Sequence, residues 1–157
     1  YYERMPDINF DQKTSERAME EFNELINKFP QSKYAKKSLK HLSVLNNHLA
    51  AREVKIAKYY QSQGFYLASI KRYKKIIADY KKSMHIPETI FRLIECYTSL
   101  GLGVQSLYLF KILEYNFPKT VWAKEAIGLI KINKKYGSFK KRELDLNKLK
   151  IDDFDLL

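Results

Sequence analysis

The residues able to do chemistry in this sequence are few, and their spacing argues against a catalytic centre. His41 and His48 stand seven positions apart. On a helix that is about two turns, roughly 10 Å, too far for both to ligate one metal. His85 falls in a loop between two helical patterns. Cys96 is the single cysteine, which excludes an internal disulfide and a multi-cysteine zinc site. Its setting, Phe91-Arg-Leu-Ile-Glu-Cys-Tyr97, suits a small core residue. Glu88 and Glu95 can share a helix face, but no second pair stands by to divide acid and base duties. Gly101-Leu-Gly103-Val-Gln-Ser106 imitates a dinucleotide fingerprint, yet it lacks the last glycine and the preceding strand. No HExxH, P-loop or Gly-x-Ser-x-Gly element occurs. The sequence predicts a protein without catalytic apparatus, metal or cofactor.

What remains is charge. The formal net charge is +11 over 157 residues, which points toward nucleic acid, anionic headgroups or an acidic protein surface. A second explanation stands beside it: lysine, isoleucine, asparagine, tyrosine and phenylalanine share AT-rich codons, so a biased genome also yields this composition. Basic residues interleave with tyrosine in Lys33-Tyr-Ala-Lys-Lys37 and Lys71-Arg-Tyr-Lys-Lys75, a pattern that also occurs in nucleic-acid binders. At helical spacing, however, the tyrosines of both stretches are expected on the packing face and the lysines in solvent, whereas stacking platforms need exposed rings. A protein partner is therefore preferred to nucleic acid.

The elements that must carry these side chains are helices. Five Gly and four Pro leave little material for an all-β chain, which needs a turn about every ten residues. A phrase recurs: Phe29-Pro-Gln-Ser-Lys-Tyr-Ala35 and Phe117-Pro-Lys-Thr-Val-Trp-Ala123, with a degenerate copy at Tyr80-Lys-Lys-Ser83. Proline stops one helix and the hydroxyl caps the next. Upstream lies a small residue, an aromatic four positions on, and a proline eight positions further, as in a tetratricopeptide (TPR) repeat. Ala18, Phe22 and Pro30 fit completely; Ser106, Phe110 and Pro118 substitute serine; Ser69, Tyr73 and Lys81 also lose the proline. Serine is small enough for a close helix crossing and is expected to return its hydroxyl to its own helix. Gly64 and Gly101 sit where a left-handed residue ends the first helix of each hairpin. Apolar residues recur at three- and four-residue steps, as in Ile90, Leu93, Ile94 and Tyr97.

Helices are thus predicted at 14–29, 32–63, 66–81, 87–101, 104–117 and 120–136: a lone second helix, two hairpins and a closing helix. The fold class is an all-α TPR solenoid spanning 1–137. Nothing breaks the helix between Ser32 and Gly64, so one helix of about thirty residues is expected, twice the usual TPR length. Ala18 to Ser69 is 51 positions and Ser69 to Ser106 is 37, against roughly 34 for a standard repeat. Residues 138–157 form a basic cluster, Lys140-Lys-Arg142, followed by an acidic–apolar end, Ile151-Asp-Asp-Phe-Asp-Leu-Leu157. They are expected to be a mobile tail whose apolar residues can dock in a groove.

The run Phe22-x-x-Leu-Ile-x-x-Phe-Pro-x-Ser-x-Tyr-Ala35, then Glu53-x-x-x-Ala57-x-Tyr-Tyr60-x-x-x-Gly64, Ala68-x-x-x-Arg72, Ile86-Pro-Glu88 and Glu95-x-Tyr97-x-x-Leu-Gly101 resembles the BamD (ComL, YfiO) family. These are TPR lipoproteins of the outer-membrane β-barrel assembly machinery. The likeness covers roughly residues 1–130 and corresponds to the C-terminal part of the family. Periplasmic adaptors of the CpoB/YbgF type share the Phe-Pro-x-Ser-x-Tyr-Ala phrase but keep regular repeats. The 51-position gap, Tyr59-Tyr60 and Ile86-Pro-Glu88 favour the first family. The resemblance implies a location at the periplasmic face of the outer membrane, held by an N-terminal lipid upstream of Tyr1. It implies docking on the last POTRA domain of BamA, with other Bam lipoproteins and unfolded outer-membrane proteins as further partners. Arg72 matches a docking arginine on the helix after the Gly-x-aromatic turn, and Lys71 and Lys75 flank it.

Overall fold

A computed structural model describes residues 13–135. Its elements are α1 (Lys13–Lys28), α2 (Lys33–Ser62), α3 (Tyr66–Asp79), α4 (Ile86–Ser99), α5 (Gly103–Asn116) and α6 (Val121–Lys135). The predicted boundaries hold to within two residues, and the tail at 138–157 lies outside the described residues. An all-α helical repeat is thus what the described residues form.

Each turn has a local cause. Ser32 caps α2 by accepting the Ala35 N–H at 3.0 Å, and Thr120 Oγ1 repeats the bond to the Ala123 N–H at 3.3 Å. The two copies of the phrase are therefore equivalent N-caps, each satisfying one donor that a helix start leaves open. The third copy behaves differently. Ser83 is buried and hydrogen bonds Asn47 Oδ1 at 3.0 Å, and the same oxygen accepts the Met84 N–H at 2.9 Å. It pins the α3–α4 turn to the middle of α2. Gly64 and Gly101 have φ of +79° and +72°, and a Cβ at either would meet nothing within 4 Å. Backbone handedness, not space, requires glycine there.

α2 runs about 45 Å and serves two partners. Its first half packs on α1 through Ala35, Ser38, Leu45 and Leu49, all buried. Its second half packs on α3 through Ala50, Val54 and Ala57. Beyond it, α3–α4, α4–α5 and α5–α6 stack in chain order, with α4 also touching α6. One core runs from Ala50 to Ile130, filled by Tyr73, Ile76, Ile90, Leu93, Ile94, Leu109, Ile112 and Leu113. The small residues sit where helices cross closely: Ala18, Ser69 and Ser106 are all buried.

Two expectations are corrected. The serines do not back-bond to their own helices. Ser69 Oγ donates across the hairpin to the Ala57 carbonyl at 2.6 Å, and Ser106 Oγ pairs with Thr98 Oγ1 of α4 at 2.9 Å. Each hydroxyl therefore staples a helix pair. Secondly, Tyr34 is 60% exposed, because Ala35 takes the face that meets α1. Tyr73, by contrast, is fully buried as expected.

Candidate protein-docking surface

α3 divides its residues cleanly. Ser69, Ile70, Tyr73, Ile76 and Ile77 face the core, while Leu67, Lys71 and Lys75 follow one another at four-residue steps on the outside. Leu67 is 74% exposed and both lysines are in solvent. The sequence-predicted residues thus fall on one helix, with Lys71 and Lys75 forming a stripe and Arg72 at its flank.

Arg72 occupies a position that sequence reasoning did not anticipate. Its Nη1 donates to Glu53 Oε2 at 3.0 Å, and the guanidinium lies over the Tyr60 ring at 5.3 Å. Glu53 is buried and also receives Arg52 at 3.4 Å. The carboxylate that Arg72 grips is therefore the chain's own. The Arg52–Glu53–Arg72 group carries one net positive charge, and the Arg72 side chain stays 36% exposed. Glu53 and the Tyr60 ring hold the fork at the helix surface.

A second polar group lies between α2, α4 and α6. Arg92 Nη1 donates to Glu95 at 2.9 Å, and Lys58 donates to Glu88 at 2.9 Å. Gln61 bridges Glu95 and the Tyr73 hydroxyl, at 2.9 and 2.8 Å. The Arg92 guanidinium rests 5.5 Å from the Trp122 ring centroid. Burial pulls the Arg92 pKa down, but the Glu95 hydrogen bond and the Glu95 and Glu88 charges outweigh it, and the net shift is upward. Glu88 and Glu95, paired candidates in the sequence, thus flank an arginine and clamp three helices. The readable signal was Glu88-x-x-x-Arg92-x-x-Glu95, whose i,i+4 and i,i+3 spacing brings both acids to one cation. Gln61 and Trp122 carried no such signal. Lys58, Gln61, Arg92 and Glu95 line a groove of about 490 Å³ with Tyr66, Thr98 and Leu129.

The remaining reactive groups serve packing. His41 stacks on Phe22 with centroids 5.4 Å apart, and the His85 carbonyl accepts the Thr89 hydroxyl at the start of α4. Cys96 is fully buried, and burial pushes its thiol up to about 11, which suppresses the nucleophilic thiolate. Among the described residues, no group of three or more His, Cys, Asp or Glu can hold a metal ion, and no helix is long and apolar enough to cross a membrane.

A stacked array of helix hairpins with a charged face on α3 is the architecture of a helical-repeat protein. Comparison with known proteins gives the family. Residues 1–108 match the model of the outer membrane lipoprotein family YfiO. The chain is 32% identical over 133 residues to the outer membrane protein assembly factor BamD of Caulobacter vibrioides, covering 85% of this chain and 44% of that protein. It is 34% identical over 131 residues to BamD of Rickettsia prowazekii, covering 83% and 52% respectively. Against BamD of Neisseria meningitidis serogroup A it is 34% identical over 110 residues, covering 70% and 41%. The chain belongs to the YfiO family of outer membrane lipoproteins, and it spans about half the length of these curated relatives.

Proposed function

We propose that this chain is a non-catalytic scaffold in outer-membrane protein assembly, docking through α3 on an acidic face of a POTRA domain of BamA. Its place is then the periplasmic side of the outer membrane, with any lipid anchor carried upstream. The observation that carries the reading is the preformed stripe: Lys71 and Lys75 in solvent, with the Arg72 fork held by Glu53 and Tyr60. The names of the relatives supply the process, and the stripe supplies the contact. A planar guanidinium grips carboxylates with parallel hydrogen bonds, and the flanking lysines raise the encounter rate at low salt. Other Bam lipoproteins and unfolded outer-membrane proteins are further partners on this reading, and the solenoid needs neither nucleic acid nor a cofactor to serve them.

The test is calorimetric titration of the chain with the POTRA domains of BamA from the same organism, at moderate salt. Arg72→Glu and the double variant Lys71→Glu/Lys75→Glu are run in parallel. Stoichiometric binding is expected, weakened at least about tenfold by the double variant, which leaves the Glu53 ion pair intact. If a rim charge pair contributes on-rate, salt will weaken the wild type more than the variant. Equal affinity of the wild type and both variants would remove α3 from the interface.

A further inference from the structure

α1 and the first half of α2 are polarised by charge. No Asp or Glu occurs between Glu24 and Glu53. The acids of this region, Glu16, Glu20, Glu21 and Glu24, all stand exposed on α1. On α2, Lys33, Lys37, Lys40, Val44 and Asn47 follow one another at alternating four- and three-residue steps, with Lys36 beside them. They therefore share one face. The residues that meet α1, namely Ala35, Ser38, Leu45 and Leu49, are buried on the other side of the helix. A biased genome raises lysine along a whole chain; it does not sort acids onto one helix and lysines onto the next.

This face of α2 is open. All four lysines are exposed, and among the described residues none has an ion-pair partner, whereas Lys28, Lys58 and Lys111 each have one. Apolar side chains continue the face, with Val44 43% and Met84 73% exposed. Met84 joins it because its N–H donates to Asn47 Oδ1 at 2.9 Å, which ties the α3–α4 turn to the end of the stripe. From Lys33 to Asn47 the stripe runs about 20 Å.

We infer that this face of α2 lies against a bilayer surface with anionic headgroups, its lysines at the phosphates and Val44 and Met84 at headgroup level. The contact is separate from any upstream lipid and from docking through α3. Three observations select the partner. The chain belongs to a family of outer membrane lipoproteins, a setting that supplies a bilayer. The cations are all lysines, point charges on flexible stems that suit the diffuse field of a headgroup layer, whereas planar arginine forks suit fixed carboxylates. The exposed ring beside them, Tyr34, is covered by the Lys33 ammonium at 5.2 Å from its centroid, which makes it a poor platform for stacking bases.

Co-sedimentation of the chain with vesicles of phosphatidylglycerol and phosphatidylethanolamine tests this, with phosphatidylcholine vesicles as the neutral reference. Binding to the anionic vesicles alone is expected, and it should weaken as salt rises. Each lysine beside an anionic surface strengthens binding about fivefold, so Lys36→Glu/Lys40→Glu should weaken it at least about tenfold. Lys71→Glu/Lys75→Glu makes the same change of charge on α3 and should weaken it less than about threefold. Equal losses in the two double variants would mean attraction by net charge alone and overturn the inference, as would equal binding to neutral vesicles. A DNA duplex that binds more tightly than the vesicles, and is lost with Lys36→Glu/Lys40→Glu, would assign the face to nucleic acid and also overturn it. An environment-sensitive dye on Val44→Cys gives an independent reading, since Cys96 is fully buried. Its emission is expected to shift to the blue on anionic vesicles, while the same dye on Leu67→Cys, exposed on α3, should not shift. No shift at Val44→Cys, or a shift at Leu67→Cys alone, would contradict the contact.

Discussion

The arm formed by α1 and the first half of α2 and the block from the second half of α2 to α6 are built from the same repeat, yet they are held together by different means. The block buries large side chains, with Tyr73, Ile76, Ile90, Leu93, Ile94, Leu109, Ile112 and Leu113 at 0% exposure. The arm is joined chiefly by small ones, Ser15, Ala18, Ala35 and Ser38, with Leu45 and Leu49 near its base. Polar cross-links reinforce the block. The Glu88–Arg92–Glu95 group, Gln61 and the stapling serines all lie in the block. A solenoid is stabilised by its own units and by their neighbours. Among the described residues, each inner helix of the block has neighbours on both sides, whereas α1 packs on α2. The difference teaches where large-side-chain packing is concentrated: the proposed docking helix α3 belongs to the block.

The comparison can be broken by mutation, and the largest effect should come from the block. Tyr73→Ala removes a fully buried ring and its bond to Gln61, and is expected to cost about 3–5 kcal/mol in urea unfolding of the whole chain. Leu45→Ala should cost less and loosen the arm first; equal global losses would show that both regions fold as one unit. Next in size is Gly101→Ala, which forces a Cβ into a left-handed conformation at φ +72° and should cost about 1–2 kcal/mol. Gly64→Ala should match it, because both turns are open and differ only in sequence. A smaller effect is expected from the caps. Ser32→Ala and Thr120→Ala should each cost on the order of 1 kcal/mol. Hydrogen exchange should locate the first loss in the arm and the second at the start of α6. The smallest change concerns Cys96: alkylation at pH 8 should be negligible in the folded chain and rapid in denaturant. Prompt labelling under native conditions would mean that the α4 core opens readily.

Much of the described fold was legible because helices, turns and caps depend on local chemistry. Gly64, Gly101, Ser32 and Thr120 act within a few residues of themselves, and the length of α2 follows from the lack of any breaker between Ser32 and Gly64. The misreadings concern choices made between helices. Whether Ser69 bonds its own backbone or that of Ala57 depends on how close α3 comes to α2. Tyr34 and Tyr73 sit in similar basic runs, yet one is exposed and the other buried, because the helix facing each differs. The candidate surface shows the same limit. Helical spacing placed Lys71 and Lys75 outside, but the grip of Arg72 on Glu53 spans 19 positions and had no local signature.

The central claim is that α3 is the face through which this chain docks, and lysine acylation footprinting by mass spectrometry tests it most directly. Labelling the chain alone and with the BamA POTRA domains bound compares Lys71 and Lys75 with Lys33, Lys36 and Lys37 of the arm. Binding is predicted to slow acylation of Lys71 and Lys75 several-fold while the arm lysines react as before. Shielding of the arm lysines with Lys71 and Lys75 unchanged would contradict the account and move the docking surface to the arm.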